Sequence, residues 1–266
     1  MAPDPIAFKL FGLEIRWYGI LIALALVLGI AVAYFLAKYR NQREEEVINF
    51  APFAVIAGVI GARLLHVLVN WSYYSRHLSY IFAFRRGGLA IQGTIVGGII
   101  ALLIFCRIRK LDLWVWLDIL SPALVLGQAI GRWGNFFNQE AFGFPTSLPW
   151  GIYIAPENRP PDYAHAEYFH PTFFYESMAN FLLFVLLVLM HRFYKKRPDR
   201  LPSGIIFTMY IGIYSVYRTF IEYFRIDSTY IGNVKVVYII NFIILIAAFL
   251  IANYLITKFK KHSLRR

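Results

Sequence analysis

Seven long apolar stretches constrain this sequence more than any other feature. A helix needs about 20 mostly apolar residues to cross the roughly 30 Å hydrocarbon core of a bilayer. The stretches lie at 17–37, 50–69, 89–106, 113–130, 173–190, 205–224 and 236–256. The sequence therefore predicts an all-α polytopic membrane protein with seven transmembrane helices, which form a single integral membrane domain over residues 1–266.

Composition excludes the other broad classes of protein. Hydrophobic residues make up 59% of the chain and charged residues only 16%, whereas a soluble domain has about 25% charged residues. These values argue against a soluble domain, a disordered chain or a nucleic-acid-binding domain, despite the net charge of +12. Cys106 is the one cysteine, so an intrachain disulfide and a cysteine-rich metal site are excluded. We expect neither a metal nor another cofactor.

Basic residues predict the orientation in the membrane. Sixteen of the 27 Lys and Arg residues lie in alternate connections and at the C-terminus, within 38–43, 107–110, 192–200 and 258–266. The positive-inside rule places these segments in the cytoplasm. The N-terminus is then outside, the C-terminus is inside, and residues 131–172 form a small extracytoplasmic head between helices four and five.

Polar residues of different spans then fall at one depth, near the outer membrane surface. Ionisable groups within a span are costly and usually face a protein interior or a water-filled cavity. Their shared depth therefore predicts a single site. The residues are Tyr18, Gln92, Arg132, Asn135, His170, Glu176, Arg218, Glu222 and Arg225.

The sixth span contains the clearest pattern. Tyr214, Arg218, Glu222 and Arg225 are spaced i, i+4, i+8 and i+11, so they share one face of a helix, where Arg218 can pair with Glu222. The pattern fits a structural ion pair with Arg225 at the interface, and it also fits an anion site. Arg132, a further cation at the same depth, favours the anion site.

A glycine-rich segment, 131–143, follows the fourth span. Glycines at 131, 134 and 143 permit tight turns and close approach of the backbone to a phosphate or lipid headgroup, and Arg132 offers a fork of donors suited to phosphate. A glycine-rich hinge is the alternative interpretation. Elsewhere, Gly93-x-x-x-Gly97 and Gly127-x-x-x-Gly131 predict close helix contacts, and Arg63 is expected in a buried network.

Two classes of function fit a cationic cavity that opens to one leaflet. One is an enzyme acting on an anionic lipid, and the other is a non-enzymatic carrier or channel for an anion or a lipid. The enzyme is favoured because a carrier more often places its ionisable residues near the bilayer midplane, within internal repeats. No such repeat is visible in the sequence.

The segment from Gly131 to Gly143, GRWGNFFNQEAFG, resembles the signature of the prolipoprotein diacylglyceryl transferases. Four further segments resemble that family in the same order, so the resemblance covers nearly the whole chain. They are Arg16-Trp-Tyr-Gly19, Gly87-Gly-Leu89, His170-Pro-x-x-x-Tyr-Glu176 and Tyr214-x-x-x-Arg218-x-x-x-Glu222-x-x-Arg225.

The resemblance implies transfer of the diacylglyceryl group of phosphatidylglycerol to the lipobox cysteine of a prolipoprotein in the bacterial cytoplasmic (inner) membrane. A thioether forms and glycerol phosphate leaves. The partners are then this lipid and a prolipoprotein signal peptide, not a nucleic acid. The catalytic residues implied are Arg132, Arg218, Tyr18 and Glu140, and the substrate-binding residues are Arg132, Asn135, Gly143, Gln92, His170, Tyr214, Glu222 and Arg225.

Activation of the thiol is the step at which this sequence departs from the family. Many members carry a histidine where this chain has Gln92, and glutamine cannot accept a proton at working pH. Either that histidine is dispensable or this chain is an inactive relative. The first alternative is favoured, because a field of arginines can lower the pKa of a thiol, with His170 and Glu140 as candidate bases.

Overall fold

The structure is a computed structural model, and it describes residues 3–83, 87–197 and 200–263. The chain divides into two compact units, which we describe separately. Unit 1 comprises residues 1–36 and 117–266, and unit 2 comprises residues 37–116. Arg265 and Arg266, two of the cations used to predict orientation, lie outside the described residues.

Long α-helices account for most of the described chain, as the apolar stretches predict. The helices are α1 (Trp17–Tyr39), α2 (Glu45–Val69), α3 (Trp71–Tyr74), α4 (Ile91–Arg109), α5 (Leu113–Asn138), α6 (Thr172–Lys196), α7 (Ile205–Phe224) and α8 (Val236–Ser263). Short 3-10 turns lie at Leu78–Phe82, Pro156–Asn158 and Pro161–Tyr163.

Six of these helices are long and apolar enough to cross a membrane, namely α1, α2, α4, α5, α6 and α8. Only 11% to 39% of their apolar windows is buried inside the protein, as expected for helices surrounded by lipid. The prediction of a polytopic helical membrane protein is confirmed. The 20-residue helix α7 is not among the six, because it contains Arg218, Glu222 and several tyrosines.

Three short antiparallel hairpins lie outside the long helices. They pair β1 (Ile6–Leu10) with β2 (Leu13–Arg16), β3 (Ile152–Tyr153) with β4 (Tyr168–Phe169), and β5 (Tyr230–Ile231) with β6 (Val234–Lys235). The hairpin β3–β4 belongs to the connection between α5 and α6, residues 139–171, which we call the α5–α6 segment. Phe142, Ile154 and Phe169 form a small buried core there, so this segment is folded.

Polar contacts hold α5, α6 and α7 together in unit 1. The carboxylate of Asp118 in α5 accepts hydrogen bonds from the backbone N–H groups of Gly204 and Phe207, at 2.8 and 2.9 Å. It thereby satisfies donors that the first turn of α7 leaves unpaired. Further along, Gln128 Nε2 donates to Tyr210 Oη at 2.9 Å. These bonds fix the position of α7 along α5.

Helices α2 and α4 pack closely and antiparallel in unit 2. A side-chain carbon at Gly93 or Gly97 would collide with the backbone of Gly61 or Ala57, which confirms the helix contact predicted for the first glycine pair. The pair at 127 and 131 is different, since nothing described lies within 4 Å of a Cβ built at either position. The prediction of a close contact there was wrong.

Arg63 of α2 is buried in unit 2, in a network as expected. Its guanidinium donates to the backbone carbonyls of Tyr80, Ile81, Gly87 and Gly88, at 2.5 to 3.0 Å. It therefore holds the connection between α2 and α4 in place.

Candidate active site

Three arginines of unit 1 surround the carboxylate of Glu176, which lies in the first two turns of α6. Arg132 Nη2 of α5 is 2.5 Å from Oε1, Arg218 Nε of α7 is 3.8 Å from Oε2, and Arg225 Nη1 is 4.0 Å from Oε2. Only 1% of Glu176 is exposed. The cations that the sequence predicts at one depth are therefore gathered around one buried carboxylate.

A second buried carboxylate, Glu222, completes this arginine cluster. Arg218 Nη1 donates to Glu222 Oε2 at 2.5 Å, and Arg225 Nε lies 3.9 Å from the same oxygen. Ser228 Oγ donates to Glu222 Oε1 at 2.6 Å. The pairing of Arg218 with Glu222 on one face of α7 is confirmed. Arg225 is not on that face, because α7 ends at Phe224 and the backbone of Arg225 is extended.

Helix α6 is held beside α5 at this level. Ser177, the residue after Glu176, donates through Oγ to the backbone carbonyl of Ala129 at 2.8 Å. Ala129 is one turn from Arg132. This bond lies next to the short contact between Arg132 and Glu176, and it keeps the two helices in register.

Charge within the cluster is nearly balanced. Arg132, Arg218, Arg225 and Lys235 supply four cations, while Glu176, Glu222 and Asp227 supply three carboxylates. Buried charges are tolerated when each has an opposite partner. One positive charge remains, so the cluster can accept an additional anion.

Arg132 is the most accessible of the three arginines. Its side chain is 26% exposed, compared with 10% for Arg218 and 12% for Arg225. A guanidinium offers five N–H donors, and Arg132 contacts Glu176 through Nη2 and Asn135 through Nη1, the latter at 3.4 Å. An incoming anion would therefore meet Arg132 first.

Arg132 and Asn135 lie within the last two turns of α5, which corrects the prediction that they follow the end of the fourth span. Helix α5 continues to Asn138, so the predicted turns and the alternative hinge at Gly131 and Gly134 are both wrong. Gly134 has another role, because a Cβ there would collide with the ring of Tyr18. The glycine lets Tyr18, at the start of α1, pack against α5.

Asn135 connects Arg132 with Glu140. Asn135 Nδ2 donates to Glu140 Oε1 at 2.9 Å, and Asn138 Nδ2 donates to the same oxygen at 3.3 Å. Glu140 is exposed. Asn135 and Glu140 are thus hydrogen-bonded to each other, and Asn135 is also hydrogen-bonded to Arg132 of the arginine cluster.

Gly143 lies against the end of α7, so its close backbone approach is to other residues of the protein and the predicted approach to a phosphate stays a prediction. A Cβ on Gly143 would collide with the carbonyl of Phe224, with His170 Cβ and with Thr172 Cγ2. The N–H of Gly143 donates to the carbonyl of His170 at 2.8 Å. The α5–α6 segment is therefore joined directly to α7 beside Arg225.

His170 lies at the end of the α5–α6 segment and contacts two aromatic residues. Its Nδ1 is 3.1 Å from Tyr175 Oη, and its ring centroid is 5.2 Å from that of Phe224. Partial burial lowers the pKa of His170 below its ordinary value of 6.5. The imidazole is therefore neutral at pH 7 and available to accept a proton.

The remaining predicted residues lie in different places. Tyr214 interacts electrostatically with Arg132, Glu176 and Arg218, so it belongs to the cluster. Gln92 is the second residue of α4, in unit 2, and its side chain is exposed. The substrate-binding role of Gln92 stays a prediction.

Sequence reasoning did not assign a role to Glu176, Asp227 or Lys235. Glu176 ends the His170-Pro-x-x-x-Tyr-Glu segment, and its place in that segment was the available signal. Lys235 Nζ donates to the carbonyls of Glu222 and Arg225 at 2.7 and 3.0 Å. Burial lowers the pKa of Lys235, although the carboxylates of Glu222 and Asp227 oppose that shift. A lone lysine before an apolar stretch gives no sequence signal for such a position.

The fold and the site define a multi-pass helical membrane protein with a buried arginine–carboxylate cluster where α5, α6 and α7 meet. Comparisons with known proteins identify its family. The model of the family described as prolipoprotein diacylglyceryl transferase matches residues 5–254, so the chain belongs to this family and is a transferase. The resemblance predicted from the motifs is confirmed.

Similar proteins from three organisms carry one name, phosphatidylglycerol–prolipoprotein diacylglyceryl transferase. That of Acaryochloris marina is 44% identical over 243 residues, which cover 91% of this chain and 87% of the relative. That of Trichormus variabilis is 43% identical, with 90% and 85% covered. That of Finegoldia magna is 41% identical over 262 residues, and 98% of each chain is covered. A non-enzymatic carrier is therefore not favoured.

Proposed function

We propose that this chain transfers the diacylglyceryl group of phosphatidylglycerol to the lipobox cysteine of a prolipoprotein. The observation that supports this most directly is the convergence of Arg132 and Arg218 on Glu176, at 2.5 and 3.8 Å. Two guanidinium groups held this close together can contact the same phosphate. Bidentate contacts of this kind are typical of arginine with phosphate.

In the reaction, a carbon–oxygen bond at a glycerol carbon is replaced by a carbon–sulfur bond. The cysteine thiolate attacks the diacylglycerol carbon that bears the phosphate ester, and the carbon–sulfur bond forms as the carbon–oxygen bond breaks. The electron pair of the broken bond leaves with glycerol phosphate, and the thiol proton passes to a base. Negative charge grows on the departing phosphate, so donors aimed at it stabilise the transition state.

Each residue of the cluster has a distinct role in this proposal. Arg132 and Arg218 contact the phosphate, while Glu222 and Arg225 hold Arg218 in position. Asn135 and Glu140 orient the headgroup beside Arg132, and Tyr214 interacts with Arg218. Tyr18 packs on Gly134, and Gly143 lets the α5–α6 segment approach the end of α7. Gln92 is proposed only as a residue that contacts the substrate.

His170 is the proposed base. When Nδ1–H donates to Tyr175 Oη, the lone pair of Nε2 can accept the thiol proton. The positive charge of the arginine cluster also favours the thiolate. Glu140, whose carboxylate is exposed, is the alternative base.

The proposed topology has seven spans. Helix α7 is one of them, and it is the least apolar because one of its faces is polar. The N-terminus is outside, the C-terminus is cytoplasmic, and the α5–α6 segment is an extracytoplasmic head on the bacterial inner membrane. Contacts in unit 1 support this arrangement, because the end of α5, the start of α6 and the end of α7 meet at Glu176.

The test is a direct transfer assay. Purified protein in lipid nanodiscs is given phosphatidylglycerol and a synthetic lipobox peptide, and mass spectrometry should show a diacylglyceryl adduct together with released glycerol phosphate. Arg132→Ala should lower the rate at least about 100-fold, whereas the control Arg192→Ala, an exposed arginine at the other end of α6, should not.

Folded protein that makes no adduct would defeat the proposed function. Full activity of Arg132→Ala would be consistent with the transferase function but would show that the phosphate does not depend on Arg132 for binding.

A further inference from the structure

A cavity of about 430 Å³ lies beside the arginine cluster, outside the long helices. It is lined by residues 139–142, by residues 157–160 of the α5–α6 segment, and by residues 226–227 after α7. The buried core of Phe142, Ile154 and Phe169 packs behind it. Of its lining residues, Glu140 alone has a role in the reaction proposed above.

Gln139, one of the residues that line this cavity, has a buried donor without an acceptor. The residue is 6% exposed, and its Oε1 accepts hydrogen bonds from Ala155 N at 2.8 Å and Asn158 Nδ2 at 3.1 Å. Because both partners are donors, the side-chain atom that they contact is the amide oxygen, and the second terminal atom of Gln139 is the amide nitrogen. Among the described residues, Nε2 has no acceptor. A buried donor without an acceptor costs about 1 to 3 kcal/mol, so the site favours a ligand that brings a carbonyl oxygen.

The charge of the lining favours a cationic ligand. Glu140 and Glu157 are exposed carboxylates on this cavity, and Asp227, which is also exposed, is paired with Arg225. Arg159 is the one cation among the lining residues, and it is engaged with the backbone carbonyls of Ile154 and Ala164 at 2.8 and 3.2 Å.

Two of the lining carboxylates are linked to the arginine cluster by hydrogen bonds. Glu140 accepts from Asn135, which in turn accepts from Arg132. Asp227 accepts two hydrogen bonds from Arg225, at 2.9 and 2.6 Å. The cavity therefore shares a wall with the site where we place the chemistry.

We propose that this cavity binds the polypeptide segment that follows the modified cysteine of the prolipoprotein. This proposal rests on the proposed function. The signal sequence before the cysteine is apolar and suits the lipid phase, so the polar chain beyond the cysteine is the part that can enter a cavity outside the helices. A backbone carbonyl of this extended segment accepts from Gln139 Nε2, and its basic side chains face Glu140, Glu157 and Asp227.

The experiment compares four lipobox peptides in the transfer assay. One ends just after the cysteine, and the others carry four-residue tails that contain two lysines, two glutamates or only serine and glycine. We expect kcat/KM to be highest for the lysine tail and about three-fold higher per charge than for the neutral tail, the size expected for exposed ion pairs. The preference should shrink in 0.5 M NaCl because salt screens exposed charges.

Matched variants test whether the preference for lysine tails arises in this cavity. Glu157→Lys should abolish or invert the preference for lysine tails, while the control Glu167→Lys, at an exposed carboxylate of the same segment outside the cavity, should keep it. Gln139→Glu retains the acceptor for Ala155 and Asn158 but removes the unpaired donor. It should raise KM for the neutral-tailed peptide relative to the truncated one.

The outcomes separate the two proposals. If no peptide is modified, the proposed function fails. If all four peptides are modified with equal kcat/KM, or if Glu157→Lys and Glu167→Lys have the same effect, the transferase function stands and the proposed cavity site is overturned.

Discussion

Glu176 contacts all three arginines of the cluster. The sequence placed it at the shared depth of the predicted site but did not indicate which residues are its partners. Its role depends on Arg132 and Arg218, which lie 44 residues before and 42 after it in the chain. The pairing of Arg218 with Glu222 was predictable because it is local, at i, i+4. The pairing of both arginines with Glu176 depends on how the helices pack.

Arg218 tests whether the geometry of the guanidinium matters beyond its charge. Arg218→Lys keeps the positive charge but loses the fork that spans Glu176, Glu222 and a phosphate. We expect transfer to fall at least about 100-fold, as measured by adduct formation. The exposed Arg192→Lys serves as the control and should retain the native rate. A native rate for Arg218→Lys would mean that the cluster acts through charge alone.

His170 gives a prediction for the dependence of rate on pH. Burial lowers the pKa of this imidazole below 6.5, so the ring is neutral at pH 7 and becomes protonated only as the pH falls through that lowered value. If His170 is the base, kcat/KM is level between pH 7 and 8 and declines below pH 6.5. His170→Ala should remove this acidic decline and reduce the plateau. An unchanged profile in His170→Ala would assign the proton to another group.

Helix α5 illustrates what apolar patterns and the positions of glycine residues can and cannot predict. Its apolar part was evident, but Gly131 and Gly134 suggested that the helix ended there, since glycine usually marks a turn in soluble proteins. In a membrane protein, glycine is tolerated within a helix where another side chain needs to approach. Tyr18 makes that approach at Gly134, and a single sequence does not reveal such a partner.

Gly134→Ala and Gly131→Ala form a matched pair, one turn apart on α5. A methyl group at 134 would collide with the ring of Tyr18, whereas nothing described lies within 4 Å of a methyl group at 131. We expect Gly134→Ala to displace Tyr18 and lower transfer about 10-fold or more, because a misplaced group near the chemistry is costly. Gly131→Ala should keep the native rate and, as a better helix former, the native thermal stability. Equal rates for the two variants would contradict the role of this contact.

For the whole molecule, composition alone predicted a polytopic helical membrane protein. Each of the seven apolar stretches corresponds to a long helix, but α5, α6 and α8 continue six to eight residues past the predicted ends. The short hairpins and the core of the α5–α6 segment were not predictable, because strands of two to five residues leave little or no periodic pattern. The cavity lined by Gln139 was also beyond sequence reasoning, since it forms from three separate segments.

The number of spans can be counted by chemical labelling. Cys106 is the one cysteine, so Cys106→Ala provides a cysteine-free background for Ser147→Cys in the α5–α6 segment and Lys261→Cys near the C-terminus. With α7 crossing the membrane, a membrane-impermeant thiol reagent on intact cells should label position 147 and not position 261. With six spans the C-terminus would emerge outside, and both positions would be labelled.

The carboxylate of Glu176 has a consequence for which phosphates this protein can discriminate. With its own anion already between Arg132 and Arg218, the resting cluster is short of only one negative charge. A phosphodiester headgroup carries one such charge, whereas a phosphate monoester approaches two at neutral pH. The one uncompensated positive charge therefore matches the single charge of the intact lipid headgroup. The departing monoester brings a second negative charge that the resting cluster does not neutralise, which favours its release after transfer.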